Sequence, residues 1–87
     1  MKGEPIMEKK LGIIGIVVED LTKADEVNAV IHEYNDLIVA RMGIPYKDRG
    51  VSVISLLIDG DTDAMNALTG QIGRIENVTA KSMIQKG

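Results

Sequence analysis

Two stretches of this chain are apolar at both sets of alternating positions, and they restrict the fold more than any other feature. In VSVISLLI, residues 51–58, one alternation holds Val51, Val53 and Leu57 and the other holds Ile54, Leu56 and Ile58. In EKKLGIIGIVVE, residues 8–19, Leu11, Ile13 and Val17 alternate with Ile14, Ile16 and Val18. A strand with one face in water alternates apolar and polar residues, so these two read as strands that are apolar on both sides. Gly12 and Gly15 weaken the first strand intrinsically, and packing must compensate. At 87 residues the chain makes one domain with a modest core. Two apolar faces must be covered with little material.

The rest of the pattern supplies the cover for one face. Thr22 and Asp25 have the spacing of a helix N-terminal capping pair. Val27, Val30, Ile31, Tyr34 and Ile38 recur at helical intervals, which predicts a helix over about 23–36. LIVARMGIPY, 37–46, reads as the second strand, with Pro45 placing its end at a sheet edge or turn. YKDRG is a hairpin connection in which Gly50 takes a positive φ at low cost. The third strand is 51–59. Asp59, Asp61 and Asp63 hint at a calcium loop, but its sixth and twelfth positions are Ala64 and Gly70 where Gly and Glu are required. The simpler reading is that Gly60 turns the chain and Asp61 or Thr62 caps a second helix. That helix carries Met65, Leu68 and Ile72 on one face, with Gly70 allowing close approach to the sheet and Gly73 as its C-terminal cap. In IENVTAKSMIQ, 75–85, Val78, Ala80 and Ile84 alternate against Asn77, Thr79 and Lys81, giving the fourth strand. Residues 1–7 read as a leader and 8–85 as the domain.

The order βαββαβ in so short a chain predicts an α+β, ferredoxin-like sandwich. Its four-stranded antiparallel sheet has order 4-1-3-2 and both helices on one face. The two most apolar strands become the central pair, and those carrying Pro45 and Lys81 become the edges. The uncovered face then exposes about six aliphatic residues of the central strands, a patch that on a soluble protein marks an interface. The expectation is a homo-oligomer, dimer or tetramer, meeting through Ile13, Gly15, Val17, Val51, Val53, Ser55 and Leu57. The alternative is a monomer with an open apolar face.

Composition removes several function classes. No Cys is present, which excludes disulfides, thiolate nucleophiles and Cys-based metal sites and fits a reducing cytosol. No apolar run approaches membrane-spanning length. Lys9 and Lys10 before an apolar run mimic a signal peptide, but the acidic exit EDLTKADE argues for a strand. A net charge of −3 disfavours binding to a phosphate backbone, and with no Phe or Trp and two Tyr the sheet lacks rings for base stacking. Ser52, Ser55 and Ser82 lie in strand patterns without a nucleophile elbow, and neither GxxxxGK nor GxGxxG occurs. No catalytic residue, metal site or cofactor is expected. His32 is the one histidine. Arg41, Lys47 and Arg49 gather around the second hairpin, where they are able to receive a carboxylate or phosphate.

GIIGIVVED, NDLIVARMGIPYKDRGVSVISLLIDGD and GRIENVTAKSMI together resemble the small iron-only hydrogenase system regulators over roughly residues 8–85. RMGIPYKDRGV is the most distinctive part. The resemblance extends to ACT-like regulatory domains such as the C-terminal half of nickel-responsive repressors. Laid on the repressor pattern, the nickel ligands fall at Gly43, Pro45, Val51 and His32, and only His32 can bind metal. The resemblance implies a non-enzymatic regulatory domain that senses a small effector at a subunit interface. Arg41, Lys47, Arg49, His32 and the loop Asp20–Lys23 are its contact candidates. It acts with a separate DNA-binding or hydrogenase-maturation partner, without contacting nucleic acid or membrane itself, in the cytoplasm. An accessory protein that works through contacts alone and a small interface-site enzyme are the alternatives.

Overall fold

The computed structural model describes residues 9–86, so the expected leader at 1–7 lies outside the described residues. The central event is the antiparallel pairing of β1, Lys10–Val18, with β3, Val51–Gly60, from Lys10↔Gly60 to Val18↔Ser52. β2, Ile38–Tyr46, adds to the outside of β3, and β4, Val78–Ile84, to the outside of β1. The order β2-β3-β1-β4 is the expected 4-1-3-2 read from the other edge. Pro45 and Lys81 lie on the edge strands. The helices α1, Ala24–Glu33, and α2, Thr62–Gly73, complete a ferredoxin-like α+β fold.

Alternation decides which side the helices cover. Ile14, Ile16, Val18, Ile54, Leu56 and Ile58 point to the helix side. They form one core with Val27 and Ile31 of α1 and Met65, Leu68 and Ile72 of α2. That core contains no buried polar or charged side chain among the described residues. Hydrophobic burial is therefore its main source of stability. A Cβ at Gly12 would lie 2.9 Å from the Met65 sulfur, so glycine lets α2 settle onto β1. The Gln71 amide donates to the Tyr34 hydroxyl and ties α2 to the end of α1.

Several local expectations are corrected. The Thr22–Asp25 capping pair does not form. Asp20 caps instead, accepting from the Thr22 N–H at 3.0 Å and from the Thr22 hydroxyl at 2.6 Å, and a 3-10 turn at Leu21–Lys23 precedes α1. The helix ends at Glu33, and a second 3-10 turn at Asn35–Leu37 leads into β2. Asp61 does cap α2, accepting from the Ala64 N–H at 2.9 Å. Gly60 does not turn the chain but closes β3 opposite Lys10. Gly70 is exposed and approaches nothing. Gly73 stays helical, and the left-handed residue after α2 is Asn77 at φ 65. Gly50 adopts φ 67 at the end of a 3-10 turn, Lys47–Arg49, as its freedom from Cβ clashes permits.

β2 contains a bulge that alternation alone conceals. Ile38 pairs with Ile58 and Ala40 with Leu57, so Val39 is an extra residue, 60% exposed. Beyond it the strand's parity is reversed. Arg41, Gly43 and Pro45 thereby share the helix side with Leu56, Ile54 and Ser52, and Ala40, Met42, Ile44 and Tyr46 share the other.

Leu56 is fully buried and its neighbour Leu57 is 38% exposed on the opposite side. Leu56→Ala is expected to lose about 2–5 kcal/mol in urea unfolding. Leu57→Ala in dilute solution is expected to lose less than about 1 kcal/mol. Equal losses would overturn this assignment of faces.

Candidate functional site

The side of the sheet away from the helices is the most distinctive surface of the molecule. Its middle row runs Met42, Ser55, Gly15, Lys81 across the four strands. On one side of that row stand Ile44, Val53, Val17 and Thr79, and on the other Ala40, Leu57, Ile13 and Met83. Ser55 and Gly15 make the centre low, because a Cβ at Gly15 would touch nothing. Two hollows flank it. One, of about 480 Å³, is lined by Leu11, Ile13, Leu57 and Met83 with the chain end at Ile84–Lys86. The other, of about 360 Å³, is lined by Val17, Tyr46, Val51 and Val53, with Glu19 and Arg49 as its charged members.

All seven residues expected at an interface, Ile13, Gly15, Val17, Val51, Val53, Ser55 and Leu57, fall on this side. Alternation in β1 and β3 suffices to place them. The surface extends further, over Met42, Ile44 and Tyr46 of β2 and Met83 of β4, all exposed. Those residues were missed because the bulge hides the parity of β2, and because Met83 shares its face of β4 with the polar Thr79 and Lys81.

The polar candidates do not form one cluster. His32 and Arg41 line a groove of about 350 Å³ between α1 and β2, together with Asn28, Ile31, Asn35 and Ile38. The Arg41 guanidinium donates to Asn28 Oδ1 at 2.7 Å. Arg49 belongs instead to the hollow on the open side of the sheet, and Lys47 lines neither. Five residue steps along the strand separate Arg41 from Tyr46, where the Lys47–Arg49 turn begins, a distance of about 17 Å. Asn28 and Asn35 went unnoticed in the sequence because amides at helical spacing look like any solvated face.

The loop Asp20–Lys23 is mostly occupied with itself. The Thr22 hydroxyl and N–H both donate to Asp20 and hold its carboxyl below the usual carboxylate range, with Lys23 adding a smaller effect in the same direction. Lys23 Nζ lies 3.9 Å from Glu76 Oε1. Of the positions where the repressor pattern has nickel ligands, Gly43 and Pro45 face the helix side and Val51 the open side. Among the described residues no three His, Cys, Asp or Glu side chains come together as a metal site, and no helix is long and apolar enough to cross a membrane.

The Asp20 shift carries a definite sign. A carboxyl with a folded pKa below its unfolded value, about 3.9, stabilises the fold above that value. The contribution is lost as pH falls through the folded pKa. Thermal unfolding of Asp20→Ala against the parent chain is expected to show a deficit at neutral pH that narrows below about pH 4. A deficit that does not change with pH would assign the capping to something other than the carboxylate.

Comparison with known proteins follows the same geometry. A family model described as "TM1266-like: Iron-only hydrogenase system regulator, putative" matches residues 10–82, from the start of β1 almost to the end of β4. Among solved structures, the uncharacterized protein TM1266 from Thermotoga maritima superposes with a TM-score of 0.85 at 36% sequence identity. That match covers 91% of this chain and 100% of the other. A search of curated proteins found no match.

Proposed function

The chain belongs to the TM1266-like family of iron-only hydrogenase system regulators, and we propose that it is a non-enzymatic regulatory protein that works as a homo-oligomer joined through its open sheet face. One observation carries this reading. Leu11, Ile13, Met42, Ile44, Val53, Leu57 and Met83 are exposed together on a face that neither helix covers. A contiguous apolar surface of this kind marks an interaction site on a soluble protein. A face contacting its own copy about a two-fold axis must be self-complementary. The low Gly15–Ser55 centre between two apolar hollows suits that requirement, because side chains of one copy can enter the hollows of the other.

Regulation by such an assembly needs no chemistry within the chain. An effector bound better by one arrangement of the subunits shifts the population toward it. The family description, a regulator rather than a catalyst, supports a role exercised through binding. The net charge of −3 and the absence of aromatic stacking residues from β1 and β3 support delegation of any DNA contact to a separate partner.

Light scattering coupled to size exclusion tests the assembly. At micromolar concentration the chain is expected to elute at twice or four times its chain mass. Val53→Lys with Leu57→Lys is expected to weaken association by about tenfold or more, through burial of unpaired charge. Far-UV circular dichroism should stay unchanged. A parent chain that elutes at its own single mass overturns the proposal.

A further inference from the structure

The groove between α1 and β2 lies on the helix side of the sheet, away from the proposed contact face. Asn28, His32 and Asn35 follow one another at intervals of four and three residues, which places them on one flank of α1 and the turn after it. Ile31 and Ile38 supply the apolar part of the lining. Arg41 enters from the strand because the Val39 bulge turns it toward α1.

The state of Arg41 is the informative feature. Its guanidinium bonds a neutral amide oxygen, Asn28 Oδ1, and makes no ion pair with a carboxylate among the described residues. This occurs in a chain with 13 acidic against 10 basic side chains. The acids of α1, Asp25, Glu26 and Glu33, do not line the groove. A guanidinium has five N–H donors in a planar fork that matches a carboxylate. Asn28 orients that fork and leaves donors for an incoming anion. The Asn35 amide and the His32 imidazole add hydrogen-bonding capacity farther along. The volume, about 350 Å³, lies at the lower end of small-ligand sites, where a molecule of a few carbons fits.

We infer that this groove binds a small organic carboxylate, with Arg41 anchoring the carboxylate and Ile31 and Ile38 receiving an apolar stem. The inference rests on the reading of the chain as a regulator and supplies the chemical class of its effector. It also supplies a route of action. β2 holds the ligand through Arg41 on one side and presents Met42 and Ile44 to the contact face on the other. A ligand that steadies β2 therefore acts on the strand that carries part of the proposed interface.

Titration of the ¹⁵N-labelled protein tests it, with sodium butyrate and sodium succinate as probes, sodium phosphate as a second oxyanion and sodium chloride at matched ionic strength. Butyrate or succinate is expected to shift the amides of residues 28–41 saturably, while chloride does not. Arg41→Gln is expected to raise the midpoint about tenfold or more, and Arg41→Lys less, because lysine keeps the charge but loses the fork. Absence of saturable shifts with both carboxylates overturns the inference, as do equal midpoints in the parent and Arg41→Gln. Tighter binding of phosphate than of butyrate overturns the role given to the apolar stem. Each failure leaves the light-scattering result standing, so the site and the assembly are judged separately.

Discussion

The pairing of β1 with β3 is the constraint from which the rest follows. Both strands are apolar on both sides, and two short helices can cover only one side of the sheet they form. Burial of Ile14, Ile16, Ile54, Leu56 and Ile58 beneath α1 and α2 satisfies half of that requirement. The other half is left as Leu11, Ile13, Val53 and Leu57 on the open face. The described residues form no third layer, so the composition of two strands accounts for both the core and the open apolar face.

Much of this was legible because β1 and β3 obey strict alternation. With a period of two, knowing that Leu56 is inside settles that Leu57 is outside, and the same holds along both strands. The strand order followed from apolarity in the centre and Pro45 and Lys81 at the edges. What alternation could not show is the second strand. Ile38, Ala40, Met42 and Ile44 share one sequence parity, yet Ile38 faces the helices and the others face away. A bulge depends on how two strands fit together, and the sequence of one strand does not reveal it.

The capping errors have a similar cause. Thr22 and Asp25 fit one capping pattern, but Asp20 is two residues upstream and reaches the Thr22 backbone and hydroxyl together. Two local solutions competed, and the one that satisfied more donors prevailed. Gly73 was expected to cap α2, whereas it is the last helical residue, and Asn77, a residue that tolerates left-handed backbone, takes that conformation just before β4. The groove between α1 and β2 was half visible. His32 and Arg41 stood out as residue types, but their union required the helix and the bulged strand to be adjacent in space. The hydrogenase link came from likeness to a family, since no side-chain chemistry on the molecule points to it.

The bulge at Val39 has a consequence for how such proteins diverge. Val39 is the residue without a partner in β3, so a chain lacking it would still set Ile38 opposite Ile58 and Ala40 opposite Leu57. Arg41, Gly43 and Pro45 would stay on the helix side of an unbulged strand. The bulge is therefore slack that a one-residue loss can remove without exchanging the two surfaces. Relatives one residue shorter at this point can be expected to keep the guanidinium beside the helix.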